Sequence, residues 1–427
     1  MPTPRNPRAG LCSDVTREPL PGTAKTGRLI VAVEYPQGWG KDILDGEALG
    51  RELAGQVKRW LKRYHAQLQF IRRPGRAGQV TVGQDGTAVA FIADAGATPP
   101  TLERLELPGG VRGLLDVDLS TPGAVPGATR VNHPLLLVCT HGKRDQCCAL
   151  KGRPLAAALA ERHGGESGDQ VWESSHTKGH RFAPSMILLP HNYSFGTLDV
   201  PGASEMMTTL ADGRLPVAGN RGRGTLDPRA QVAELAVAAL LESQGRPVAP
   251  GELTVEKATP ADGPAPGGGG NDGGNDGDTD EATDGGTDEA AREVYAAFSR
   301  AVDPELRRRA GELITERIEM KATGRHPELK ELYRSGYFQP VRDYERAVKE
   351  AAEAHGLGRK KHGKHGKHGA SGKDGNPVLR VRRGAQSWVV TLESRSCHPV
   401  VSSCGDRPKE GKAWVAVDVR PEVSRAG

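Results

Sequence analysis

The chain has 427 residues, 36% of them hydrophobic, and 58 basic against 53 acidic side chains give a net charge of +5. This allows a globular core, at roughly 150 residues per domain about three domains, and so mild a charge gives no electrostatic footprint for nucleic acid. No run reaches the 18 or more apolar residues of a membrane span, the opening MPTPRNPRAG holds no apolar signal core, and six cysteines are too sparse for a disulfide scaffold, so the expected setting is cytoplasmic and reducing, with neither nucleic acid nor membrane as partner.

Residues 1–26 are rich in Pro, Gly and Thr and read as an extended N-terminus, in which Cys12 suggests no role. Residues 27–129 read as an N-terminal α/β lobe. Leu29–Tyr35 is a continuous apolar run, expected as a buried strand. Over 47–64, Leu49, Leu53, Val57, Trp60 and Leu61 recur at helical spacing. Strands over Gln67–Ile71 and Thr87–Ala93 complete a β-α-β-β order. That order returns in 130–255. Pro134–Thr140 is a strand, and Gly152–Gly164 is a helix with Pro154 near its first turn. Strands follow over Gln170–Ser174 and Ser185–Pro190, then a hairpin return over His191–Asp199. Gly219–Gly224 (GNRGRG) imitates a phosphate loop but follows no strand, and reads as a basic turn. Asp227 caps a helix that runs to Ser243. The repetition suggests a degenerate duplication of one α/β unit.

Residues 256–290 form an acidic Gly-rich tract without a buried-type residue, expected as a flexible linker. A charged helical insert over 291–357 starts its first clear helix at Asp303-Pro304. Residues 358–375, with KKHGKHGKHG, form a Lys/His/Gly-rich linker. Residues 376–427 alternate β-type runs and are expected to pack back on the α/β body as a C-terminal β segment. Cys397 and Cys404 lie in it and read as structural or free thiols, since two ligands alone do not close a zinc site.

The chemistry concentrates between Cys139 and His180. Cys139 and Cys148 are separated by eight residues, and His176 and His180 by three. Each pair follows a strand, and Gly179 argues against a regular helix under the histidines. Both pairs are therefore expected on loops at the same ends of neighbouring strands, where open α/β sheets gather ligands. Two thiolates and two imidazoles can hold one Zn²⁺ tetrahedrally. They can equally hold a [2Fe–2S] cluster, with thiolates on one iron and imidazoles on the other. The long Cys139–Cys148 loop suits the bulkier cluster. The chain has no C-x-x-C, which argues against a dithiol–disulfide oxidoreductase. Cys147 or Cys148 as a nucleophile would lack an oxyanion-hole motif, which argues against a cysteine catalyst and leaves the question of enzyme activity open.

CTHGKRDQCC, GRPLAAAL, WESSHTKGHRFAP and LLPHNYSFGTLD together resemble the sucrase/ferredoxin-like family, over about 130–245 and more weakly over 27–110, where VEYPQGWG also fits. The resemblance implies a thioredoxin-like ferredoxin core in an α/β fold, with a [2Fe–2S] cluster held by Cys139, Cys148, His176 and His180. The family's R-D-x-x-C pattern places the cysteine at Cys148, with Cys147 as the alternative. Sucrase activity is not supported, because no paired-carboxylate site can be picked out. Pro184 reads either as the cis proline that thioredoxin-like folds place beside the site or as a plain trans turn proline, and Trp172 and Phe182 are expected to shield the site from water.

The expected function is one-electron transfer, with electron uptake coupled to proton uptake at His176 or His180. The alternatives are a structural zinc-binding or interaction module on the same ligands, and a cluster-free degenerate thioredoxin fold. Lys143, Arg144, Lys151, Arg153, Lys178 and Arg181, against Asp145 and Glu173, would steer an acidic redox partner such as a reductase.

Overall fold

The structure is a computed structural model that describes residues 11–75, 86–164, 168–257, 303–322, 325–354 and 376–422. Most of the acidic linker and the whole KKHGKHGKHG tract lie outside these residues. The strands are β1 (Leu29–Glu34), β2 (Ala66–Arg72), β3 (Ala88–Asp94), β4 (Thr101–Leu107), β5 (Thr129–Arg130), β6 (Leu135–Cys139), β7 (Val171–Ser174), β8 (Met186–Leu189), β9 (Tyr193–Phe195), β10 (Asn220–Arg223), β11 (Thr254–Lys257), β12 (Val378–Arg383), β13 (Gln386–Val400) and β14 (Lys409–Pro421). The helices are α1 (Cys12–Val15), α2 (Arg51–Tyr64), α3 (Gln146–His163), α4 (Val200–Ala211), α5 (Pro228–Ser243), α6 (Pro304–Ala322), α7 (His326–Arg334) and α8 (Gln339–Ala354).

The two α/β halves form one ten-stranded mixed sheet, ordered β10-β9-β8-β6-β7-β2-β1-β3-β4-β5. Each half has the same wiring. β1 and β2 are parallel, β1–β3 and β3–β4 antiparallel; β6 and β7 are parallel, β6–β8 and β8–β9 antiparallel. The topology is duplicated, as the repeated order suggested. The halves meet where β2 and β7 run antiparallel, with Ile71 opposite Ser174 and Arg72 opposite Glu173.

The apolar run of β6 has a physical reason. Leu136 and Val138 face one core with Leu155 and Leu159 of α3, while Leu135 and Leu137 face another with Ile30, Phe91 and Trp172. A strand covered on both faces has no polar positions to alternate. In α2, Ala54, Val57, Trp60 and Leu61 are the buried stripe, as their spacing predicts. The helix ends at His65, whose left-handed φ of 51° turns its N–H back to the Leu61 and Lys62 carbonyls.

Three features differ from the sequence reading. α3 begins at Gln146, six residues earlier than expected, because the Asp145 side chain caps it by accepting the Cys147 N–H. Pro154 therefore lies inside the helix, and Cys147 and Cys148 sit on its first turn rather than on a loop. GNRGRG contains edge strand β10, with Arg221 only 2% exposed, and is not a basic turn. Glu256 and Lys257, expected in the linker, belong to β11, which opens a separate antiparallel sheet β11-β12-β13-β14. That sheet packs on α5 through Val381, Trp388, Val390 and Leu392.

Candidate metal centre

Cys139 ends β6, Ser174 ends β7, and the chain enters β8 through Ser185, so three segments converge at one end of the second half-sheet. Cys139 and Cys148 lie side by side: hydrogen bonding between their thiols lowers the pKa of Cys139 and raises that of Cys148. The backbone amides of His141 and Thr177 and the Thr177 hydroxyl also favour the Cys139 thiolate. Thr177 stands between the two histidines, so the Cys139 sulfur is brought to the loop that carries them. The His176 and His180 rings are 5.0 Å apart. Burial holds both imidazoles below their ordinary pKa, His176 well below it, so both rings are neutral at pH 7 with lone pairs free to ligate.

His176 Nδ1 and both ring nitrogens of His180 are buried without a hydrogen bond of good geometry, although the Ser402 backbone comes close enough to His180 to pull its pKa upward against burial. His180 Nε2 comes within 3.6 Å of Asp145 Oδ2, beyond a proper hydrogen bond. Buried polar atoms are rarely left unsatisfied. Orphaned ring nitrogens and paired thiols are the donor types that a bound metal takes.

The loop between the histidines is held from outside. Lys178 and Gly179 both take left-handed backbone, φ 63° and 87°. A Cβ on Gly179 would come within 2.4 Å of the Arg221 guanidinium. That guanidinium donates to the Lys178 carbonyl at 3.1 Å and to Ser185 Oγ at 3.2 Å. Pro184 is cis. Trp172 and Phe182 are fully buried, Trp172 edge-on against Phe91. His141 accepts the His176 N–H on Nδ1 at 3.2 Å and donates from Nε2 to the Gly40 carbonyl at 2.9 Å. The VEYPQGWG segment thus buttresses the histidine loop from the first half, and Trp39 packs edge-on against His141.

Two cysteines the sequence left unassigned also arrive here. Cys12 and Cys404 join Cys139, Cys147 and Cys148 in one cluster. Cys12 Sγ is 3.4 Å from Cys147 Sγ and 3.6 Å from Cys404 Sγ. The tight donor group is Cys12, Asp145, Cys147 and Cys404, whose ligand atoms all lie within 4.8 Å of one another. The quartet read from the sequence is arranged instead as two adjacent pairs. Cys397 goes elsewhere, packing with Val400 and Ala413. No local signal could have found Cys12 and Cys404, because 392 positions separate them.

The basic rim is largely paired. Lys143 meets Glu47, Lys151 meets Asp14 at 2.6 Å and Arg181 meets Glu18 at 2.6 Å. Glu173 is buried against Arg72 at 2.8 Å. A cavity of about 260 Å³ opens beside His176, lined among others by Lys25, Lys41, Arg144 and Lys178. Among the described residues no helix is long and apolar enough to cross a membrane.

Comparison with known families gives one match: the model of the Sucrase/ferredoxin-like family covers residues 20–219. No curated protein and no solved structure is significantly similar to the chain.

Proposed function

Residues 20–219 belong to the sucrase/ferredoxin-like family, and from this we propose that the chain is a one-electron carrier whose [2Fe–2S] cluster is held by Cys139, Cys148, His176 and His180. The observation that carries the proposal is the pairing of two touching thiols with two neutral, half-buried imidazoles whose nitrogens lack well-formed hydrogen bonds. Two pairs, each on its own segment, suit a binuclear group, in which Cys139 and Cys148 would hold one iron and His176 and His180 the other.

When bound, the cluster would supply a reversible one-electron site. The chain's own residues set its surroundings. Neutral imidazoles in place of two thiolates leave the site less negative by about two charges, which raises the potential above the roughly −400 mV of plant-type ferredoxins. Phe182, buried between the histidine loop and Arg221, helps to exclude water. Arg221 and His141 fix the histidine loop by backbone contacts. The imidazole of His176 or His180 would take up the proton that accompanies the electron. The cationic cavity beside His176 is the proposed docking point for an acidic redox partner.

Anaerobically purified protein is expected to be red-brown, with two irons and two sulfides per chain. Colourless protein with one zinc on these ligands, or folded protein without metal, would refute the proposal. Transfer to an acidic partner should slow as salt is raised; a salt-independent rate removes the docking assignment.

A further inference from the structure

Three of the clustered thiols have no part in the electron-transfer reading. We propose that Cys12, Cys147 and Cys404, with Asp145, form a second metal site for a thiophilic divalent ion of the zinc type. It would fasten both ends of the chain to the first turn of α3. The site goes beyond the electron-transfer reading and uses none of its ligands.

The spacing is that of a preformed thiolate shell. Tetrahedral zinc with bonds of about 2.3 Å sets its sulfurs about 3.8 Å apart. The sulfurs here are 3.4 and 3.6 Å apart around Cys12, within a few tenths of an ångström of that edge. They are free thiols, not the roughly 2.05 Å of a disulfide. Cys12 and Cys147 are fully buried. Three sulfurs and one carboxylate oxygen suit zinc, whereas Ca²⁺ and Mg²⁺ take oxygen shells.

Asp145 is prepared for a ligand's place. Its Oδ2 accepts from Ser403 Oγ at 2.6 Å and from the Cys404 N–H at 2.9 Å, which fixes the carboxylate and brings the Cys404 loop to it. Its Oδ1 accepts the Cys147 N–H at 3.2 Å and lies 2.9 Å from Cys147 Sγ. The entering ion would replace the thiol proton, and that sulfur and that oxygen would move apart to the roughly 3.5 Å that two tetrahedral zinc ligands keep. The protons of the three thiols leave to solvent as the ion binds, and no electron moves. The Cys12 N–H also points at Cys404 Sγ, at 3.4 Å, so a backbone donor supports a coordinating thiolate.

The test uses full-length protein, purified anaerobically, depleted of zinc and titrated with Co²⁺, whose thiolate charge-transfer bands report sulfur ligation. One Co²⁺ per chain is expected, displaced by one Zn²⁺. Cys12→Ser and Cys404→Ser should each weaken it at least about 100-fold while leaving iron and sulfide unchanged. Absence of a thiolate band in fully reduced wild type overturns the proposal. So does a Cys12–Cys404 disulfide in place of the ion, or loss of iron together with cobalt in Cys404→Ser. Should a serine variant not fold, alkylation of the wild type decides: zinc must protect Cys12, Cys147 and Cys404, and equal labelling with and without zinc overturns the proposal. Iron content reads the electron-transfer function and cobalt ligation reads this site, so each can fail alone.

Discussion

Cys147 and Cys148 are neighbours in sequence but turn to different partners. Cys148 meets Cys139, Cys147 meets Cys12 and reaches toward Cys404, and the two thiols also contact each other. Adjacent residues on a helix project about 100° apart, so one thiol faces β6 and the other the N-terminal segment. On the proposed cluster, Cys148→Ser should therefore abolish the expected visible absorption and lower iron to near zero, whereas Cys147→Ser should keep both; metal analysis of the two variants side by side checks this. Equal loss in both would mean that the first turn of α3 offers its thiols interchangeably. A second buried group gives a pH prediction. Glu234 is completely buried against Arg223 at 2.7 Å and accepts from Tyr193 at 3.1 Å. Burial pushes its pKa up to about 7, against the pull of Arg223. A carboxyl raised above its unfolded value favours the fold at low pH, and that contribution fades as pH rises from about 4.5 through the folded value. Arg223→Met removes the opposing cation and drives the pKa higher still. The variant should therefore lose the most stability relative to wild type above pH 7, by about 1.4 kcal/mol per unit of further shift, and the least near pH 5. Urea unfolding at pH 5 and 8 measures it; a larger deficit at pH 5 contradicts the assignment.

The packing of α3 on β6 decides whether Cys139 and Cys148 meet. Gly152 makes that approach: a Cβ there would stand 2.1 Å from the Cys139 carbonyl oxygen. Backbone cannot yield as a flexible side chain does. Gly152→Ala should therefore push the helix off the strand, at about 1–3 kcal/mol of overpacking, and separate the two thiols. A lowered denaturation midpoint with reduced iron retention is expected; an unchanged iron content at wild-type stability would refute the close approach. This glycine also explains what the sequence could and could not reveal. The apolar run before Cys139 declared its strand by unbroken apolarity, and the stripe of α2 its helix by periodicity. Gly152 and Pro154 look like a helix start, yet both lie within α3, since the true signal is the capping Asp145 inside a motif read only for its cysteines. β10 was missed because Arg221 is buried, satisfying polar partners where a basic residue ordinarily faces solvent. Cys12 and Cys404 carry no periodic or motif signal at all. Their place follows from where the tertiary fold returns the two chain ends.

The duplicated topology raises the question of whether the halves behave as two bodies or one. Their sheets meet at β2 and β7, and the pair at that boundary is charged. Arg72 and Glu173 are 9% and 3% exposed and 2.8 Å apart, with Thr140 Oγ1 donating to the same carboxylate oxygen at 3.0 Å. Arg72 also lies over the Trp39 ring, 4.4 Å from its centroid. The apolar core there is shared as well, Phe91 of the first half packing on Trp172 of the second. Further, the N-terminal segment crosses the second half before it enters β1: the Asn192 amide donates to the Gly27 carbonyl at 2.8 Å, and Gln231 to that of Ala24 at 3.3 Å. Neither half can unfold without exposing the other's core. The two should therefore melt together, with coincident curves from tryptophan fluorescence and from the visible absorption expected of the proposed cluster. Breaking the boundary pair tests the coupling. Arg72→Leu leaves Glu173 buried without its cation and should cost about 3–5 kcal/mol. Arg72→Leu with Glu173→Leu should recover much of that, since an apolar pair needs no counter-charge. If the single variant instead splits the melt into two transitions, the visible one persisting to the higher temperature, the halves are joined by the ion pair alone and the shared core contributes little.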